Sequence, residues 1–331
     1  MSMTPAALVG TFKKFKESSG IVGVAFGPKE VTGRTVNNPL AVSFFVRKKL
    51  PLKGARKYLS DGRARLPKFI EFEGTKVATD VVTTGGQTPM AESDRDAQPV
   101  NHPGGMISTL QGAGTIGCVV RRRDRAGISL LTNRHVALDE GTILAIPNLQ
   151  TNGAVAGRTS KSIGFVADEV FLPVFNESQA YIDVDGALVD VPRNMEDRFT
   201  TEIPNIGTPS AMFRPATSSQ TAYVNSLLGL PVTSYSWKSG LRTGTISHVY
   251  YVYQRTGTGV QRIANFTVKS SDGNAPGLPG DSGKLWLAQI HGQNLCVGLH
   301  SGVVADDAQS NRFAMATEFA SLARYMNFDL A

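Results

Sequence analysis

A serine hydroxyl becomes a useful nucleophile only when a base takes its proton and fixed donors receive the negative charge that develops on the substrate. Residues 277–283, Gly-Leu-Pro-Gly-Asp-Ser-Gly, suit the second requirement. Ser282 stands between an acid and a glycine, with Gly280 two residues before it. Glycines let the backbone turn neighbouring N–H groups toward one point, as an oxyanion hole needs. Alone, the string also reads as a surface turn that contains a serine. Its meaning depends on whether the chain supplies a base and an acid.

The chain has five histidines. His102 lies in a Pro/Gly-rich stretch, His248 in a Tyr/Val-rich strand and His291 in a turn before Gly292; these read as structural or exposed. His135 differs, because it follows the apolar run Ile128-Ser-Leu-Leu-Thr. A strand end that delivers a histidine into a loop suits a general base. The acid must be largely buried to hold the imidazole tautomer. The run Ile182-Asp-Val-Asp-Gly-Ala-Leu-Val-Asp offers Asp183, Asp185 and Asp190. Strand alternation puts Asp183 and Asp185 on one face and Asp190 on the other, and spacing does not choose among them.

The elements that must position these residues form two unlike regions. Residues 1–83 read as a small basic α/β domain: helical spacing at 9–20 (Val9, Phe12, Phe15), then strands at 21–26, 40–47, 69–72 and 76–83, with a basic loop or short helix at 48–56. No His, Cys or phosphate loop occurs there. Residues 84–105, dense in Gly, Pro, Asp and Ser, read as a linker. From Met106 onward short β runs recur at 117–121, 128–132, 142–146, 162–167, 182–191, 244–252, 262–268, 284–288 and 295–299. The spacing predicts a sandwich or a pair of barrels. A closing helix is expected at 317–327, capped by Thr317.

Composition limits the function classes. The net charge of +7 is uneven: residues 1–80 hold 15 Lys/Arg against 6 Asp/Glu, and residues 81–331 hold 19 against 21. The basic segment reads as a solvated face, with an acidic or regulatory partner as the alternative. Nucleic acid is not expected, since stacked-aromatic and helix-turn-helix signals are missing. No apolar stretch approaches membrane-spanning length, so a soluble, cytoplasmic protein is expected. Cys118 and Cys296 read as buried free thiols of a reducing compartment. No metal or cofactor is expected.

Taken together, Leu131-Thr-Asn-Arg-His-Val-Ala, Asp185-Gly-Ala-Leu-Val and Pro279-Gly-Asp-Ser-Gly resemble the three signature segments of the chymotrypsin/trypsin-like serine proteases, in the order His, Asp, Ser. The separations, 185 − 135 = 50 and 282 − 185 = 97, also match that superfamily. The resemblance covers about residues 106–328. It is strongest to bacterial cytoplasmic trypsin-like proteins and plant narrow-leaf type proteases, through Gly114-Thr-Ile-Gly and Lys238-Ser-Gly-Leu-Arg-Thr-Gly. It implies a mainly β fold: a chymotrypsin-like double β-barrel with a C-terminal helix, the first barrel about 106–200 and the second about 201–315. It assigns His135 as general base, Asp185 as its orienting acid and Ser282 as nucleophile. The backbone N–H groups of Gly280 and Ser282 become the oxyanion hole.

The resemblance implies a serine endopeptidase with protein or peptide substrates inside the cell. The alternatives are a silent protease-fold binding module and an esterase with the same residues. Several positions depart from the family pattern. Val136 replaces the cysteine that often follows the histidine, Lys284 stands where a second glycine often sits, and no Ile-Val-Gly-Gly activation site is evident. Asp281 therefore has no partner legible in the sequence, and an enzyme that folds competent or is switched by a partner is expected. Pro276 occupies the position of the acid in enzymes that cut after Lys or Arg, which argues against that specificity. The segment Val297-Gly-Leu-His-Ser-Gly resembles the strand lining the specificity pocket. It makes His300, Ser301 and Gly302 the substrate-binding residues, with Glu or Gln before the scissile bond, or else His300 a hydrogen-bonded strand histidine.

Overall fold

The computed structural model describes residues 5–15, 21–31, 34–46, 66–72, 75–84, 86–88, 101–149, 153–166, 180–216, 219–254, 261–305 and 311–331. The expected element at 48–56 lies outside these residues, as does the end of the predicted first helix.

The chain opens with helix α1 (Pro5–Phe15), which buries Leu8, Phe12 and Phe15 at helical spacing. Strands β1 (Ile21–Val31), β2 (Arg34–Val46), β3 (Phe69–Phe72) and β4 (Thr75–Thr83) follow, longer than or close to the expected runs. The sheet order is β1-β2-β4-β3, with β2 and β4 parallel. The short β5 (Gly86–Thr88) leaves this sheet.

The first barrel uses β6 (Met106–Ser108), β7 (Ala113–Thr115), β8 (Cys118–Arg122), β9 (Ser129–Thr132), β10 (Ile143–Ile146), β11 (Ala154–Val166) and β12 (Ala180–Asp190). The ring runs β6-β10-β11-β12-β9-β8 and closes because β7, two residues before β8, pairs back to β6. Its interior holds Ile107, Ile116, Leu130, Leu144, Ala187 and Val189.

The second barrel uses β13 (Ala211–Met212), β14 (Pro231–Ser236), β15 (Gly240–Gln254), β16 (Gln261–Ser270), β17 (Leu285–Ile290), β18 (Gln293–Ala305) and β19 (Asn311–Glu318). Its ring, β14-β15-β16-β19-β18-β17, closes through Thr233 opposite Leu287. Among the described residues each ring of strands closes on itself, which pairs the edges an open sheet would expose. The expected mainly β, two-barrel fold is the one observed. The sequence did not signal β14, β19 or the helix at Gln220–Leu227.

The N-terminal sheet is not separate from the second barrel. Strand β1 pairs with β15, Val24 opposite Val252, and β5 pairs with β18, Val303 opposite Thr88. Ala25, Phe45 and Val82 share one core with Tyr251, Tyr253, Val304 and Phe313.

The closing helix spans Phe319–Met326, two residues later than expected at its start. Thr317 does not cap it. Strand β19 continues to Glu318, with Thr317 opposite Leu299, and the Thr317 hydroxyl donates to the carbonyl of Asp183 at 2.8 Å. Phe319, Leu322, Ala323 and Met326 form the buried face. Leu322 and Met326 lie so close to Gly186 that a Cβ there would meet both within 3 Å. The helix thereby presses on β12 one residue past Asp185. The final strand β20 (Phe328–Leu330) returns to pair with β8.

Candidate active site

His135 lies in a single helical turn, Arg134–Ala137, at the end of β9. Asp185 lies in β12, and Ser282 lies in the loop between β16 and β17. Each barrel contributes one side of the site. His135 Nδ1 is 2.6 Å from Asp185 Oδ2, and Nε2 is 2.8 Å from Ser282 Oγ. A carboxylate only accepts, so Nδ1 carries the proton and Nε2 accepts from the serine hydroxyl. The backbone N–H of His135 donates to Asp185 Oδ1 at 3.1 Å, so the carboxylate holds both ring and main chain. Asn133, fully buried, donates to the Asp185 carbonyl at 2.8 Å.

The three candidate acids go to three different places. Asp185 has a left-handed φ of 41° beside a register shift between β11 and β12. That irregularity breaks the alternation that would set Asp183 and Asp185 on one face. Asp183 is buried and accepts from the Tyr253 hydroxyl. Asp190 accepts from Ser129, Ser160 and Arg125 at 2.6–2.7 Å. Among the other histidines, His102 bonds the Pro103 carbonyl, His248 is buried against Ser247 and Thr267, and His291 sits in a positive-φ turn.

The loop around Ser282 is clamped between the barrels through backbone. Thr115 N–H donates to the Ser282 carbonyl and Thr115 Oγ1 to the Gly280 carbonyl, both at 2.7 Å. Gly283 N–H donates to the His300 carbonyl at 3.0 Å. Gly280 and Gly283 both have φ of +97°, which side chains other than glycine rarely adopt. A Cβ on Gly283 would stand 2.2 Å from the Thr115 carbonyl. The Gly114-Thr-Ile-Gly motif has the same cause, since Cβ atoms on Gly114 and Gly117 would strike the carbonyls of Ser282 and Gly283. Trp237 covers Gly280 and donates to the Gly114 carbonyl at 3.0 Å.

Asp281, whose partner was not legible in the sequence, pairs with Lys284. Nζ is 2.9 Å from Asp281 Oδ2, and both side chains are fully buried. Ser236 donates to the other carboxylate oxygen, and Leu278 N–H to Oδ2 at 2.9 Å. Burial, the largest single effect, pushes the Asp281 carboxyl up, but the Lys284 charge together with the hydrogen bonds from Ser236 and Lys284 and the other favourable neighbours leaves it below the usual carboxylate range. Burial pulls the Lys284 ammonium down while Asp281 opposes that shift.

His300, on β18, is fully buried, with its ring against Trp286 and close to Gly277. Neither ring nitrogen has a hydrogen-bond partner among the described residues. Burial, reinforced by the Lys284 charge, lowers its pKa to about 3, so the ring is neutral. Ser301 and Gly302 follow it on the same strand, both buried. Cys118 and Cys296 are free and buried, and burial raises both thiols far above their ordinary range. No His, Cys, Asp and Glu cluster suited to a metal occurs among the described residues, and no helix there is long and apolar enough to cross a membrane.

Sequence reasoning missed Thr115, Asn133, Trp237 and Ser236 as supports of the site. Thr115 and Trp237 lie in or beside the glycine motifs at 114–117 and 238–244, which were the available signal. Asn133 lies within the segment 131–137, which was its signal; nothing in the local sequence marked Ser236, whose partner lies 45 residues away.

No curated protein matches the sequence. Among solved structures the chain is similar to Thermobifida fusca protease A, at 18% identity over 70% of this chain and 98% of that one, with a TM-score of 0.47. It is similar to Nocardiopsis protease at 16% identity over 70% and 98%, TM-score 0.46. It is also similar to a glutamic acid specific serine protease described as using a histidine triad in substrate binding, at 14% identity over 70% and 100%, TM-score 0.47. Residues 86–312 match the Nal1 C-terminal domain. That match spans more than two thirds of the 331 residues and takes in His135, Asp185 and Ser282, so the chain belongs to the Nal1 C-terminal domain family.

Proposed function

We propose that this chain is a serine endopeptidase performing limited proteolysis of protein substrates in the cytoplasm. The observation that carries the reading is the unbroken hydrogen-bonded row Asp185–His135–Ser282. Ser282 Oγ attacks the scissile carbonyl while His135 Nε2 takes its proton. The oxyanion is received by the N–H groups of Gly280 and Ser282. The C–N bond breaks, His135 protonates the leaving amine, and an acyl group remains on Ser282. Water, deprotonated by His135, releases the acid and restores the serine. Asp185 keeps the imidazole in one tautomer and stabilises the imidazolium.

His300 supports a preference for Glu or Gln before the cleaved bond. A buried imidazole without a partner costs roughly 1–3 kcal/mol, which a substrate carboxylate or amide would offset. The free buried thiols fit a reducing compartment.

The test exposes wild type and Ser282→Ala to a fluorophosphonate, then to a peptide library. Wild type should label and cleave, and Ser282→Ala should do neither. A wild type that never labels would leave a silent scaffold, and labelling without peptide cleavage would leave an esterase. His300→Val should keep the labelling rate and alter the cleavage profile; an unchanged profile removes the role given to His300.

A further inference from the structure

Lys284 presents a problem the triad does not explain. It is two residues past the nucleophile and wholly buried. A buried ammonium is tolerated only when its charge and its donors are satisfied. Here Nζ reaches Asp281 Oδ2 at 2.9 Å, the Pro276 carbonyl at 2.9 Å and Ser239 Oγ at 3.5 Å. The Asp281 carboxylate also accepts from Leu278 N–H and from Ser236 Oγ. One buried ion pair therefore ties residues 276, 278 and 281 to each other and to strand β14, which carries Ser236. The tied segment contains Gly280 and ends against Ser282.

We propose that Lys284 is a positioning residue that holds this loop in its oxyanion-binding shape at all times, so the site is competent without a chain cleavage that frees a new N-terminus. The proposal rests on the serine-hydrolase reading above. Its physical basis is the cost of removing Nζ. The Asp281 carboxylate would then be buried without a counter-charge, and its simplest relief is to turn toward water. The Ser282 N–H lies in the peptide that Asp281 shares with Ser282, and Asp281 Oδ2 also holds the Leu278 N–H, so that turn rotates the Ser282 N–H out of line and releases the segment that carries the Gly280 N–H. The loss appears in the chemical step rather than in substrate binding.

Lys284→Met should lower kcat and the fluorophosphonate labelling rate about 100-fold, the scale of losing one oxyanion donor, with KM within about threefold. Ethylammonium should restore kcat of Lys284→Ala saturably while leaving KM unchanged, which a generally loosened fold would not permit. If the Lys284 variants do not fold, Ser236→Ala keeps the ion pair and removes one tie. Its kcat should fall about tenfold at constant KM. Fusing a folded tag ahead of Met1 should leave kcat unchanged. Folded Lys284→Met with wild-type kcat, or Ser236→Ala with wild-type kcat, overturns the proposal. So does a wild type that labels only after cleavage, an outcome that leaves the hydrolase reading intact. A wild type that labels under no condition removes the hydrolase reading itself.

Discussion

Phe45 tests how the N-terminal strands relate to the second barrel. It lies on β2, outside both barrels, yet it is fully buried. Its ring meets Tyr251 at 4.8 Å, His248 at 5.3 Å and Phe313 at 5.9 Å, all edge-on, and all three belong to the second barrel. Phe45→Ala removes a large apolar side chain from a packed site, which costs roughly 3–5 kcal/mol including the cavity. Edge-on aromatic contacts place it toward the upper half of that range. With a urea slope of about 3–4 kcal/mol per molar for a chain of this size, the midpoint should fall by roughly 1 M. The assay is urea unfolding read by tryptophan fluorescence, since Trp237 and Trp286 both lie in the second barrel region, and in parallel by fluorophosphonate labelling. Both probes should move together. A barrel midpoint that stays at the wild-type value, with only a separate early transition added, would refute the shared core.

Two further predictions concern the site. Asp185→Asn should lower kcat by about 10⁴ at similar KM, as expected when the imidazole tautomer is no longer fixed, whereas Asp183→Asn and Asp190→Asn should leave kcat near wild type; steady-state kinetics on the three variants decides. His300 is neutral in the folded chain, with a pKa of about 3 set first by burial and then by Lys284, against 6.5 unperturbed. The unfolded chain therefore binds more protons between these values, and stability is lost as pH falls from 6.5 toward 3. His300→Val should flatten that loss, seen as a smaller drop in Tm between pH 7 and pH 4, and an unchanged drop would assign the acid sensitivity to other groups.

Much of this was legible in the sequence because glycine and alternation report backbone geometry locally. The runs at 128–132 and 182–191 and the loop at 277–283 became β9, β12 and the Ser282 loop with small boundary changes. What failed to show was long-range or irregular. Alternation could not separate Asp183 from Asp185, because the positive φ that redirects Asp185 belongs to a residue type that rarely adopts it. Thr317 looked like a cap because its strand pairing with Leu299 cannot be read from neighbours in sequence. Lys284 looked like a departure from a glycine position because its partner depends on how a tight loop folds back.

Ser282 and His135 come from different barrels, so their 2.8 Å contact is only as firm as the seam between those barrels. At the Ser282 loop that seam includes main-chain contacts, Thr115 N–H on the Ser282 carbonyl and Gly117 against the Gly283 carbonyl, beside an apolar cluster in which Cys118, Leu131 and Val184 of the first barrel pack with Phe266, Leu285 and Leu299 of the second. Main-chain contacts leave no side-chain signature except the glycines that permit them. The glycines of 114–117 and 280–283 are therefore two halves of one feature, written 165 residues apart for Thr115 and Gly280. The buried Asp281–Lys284 pair fixes the Ser282 loop within the second barrel, and the glycine seam fixes it to the first. Both must hold for the Ser282 hydroxyl to face the His135 ring.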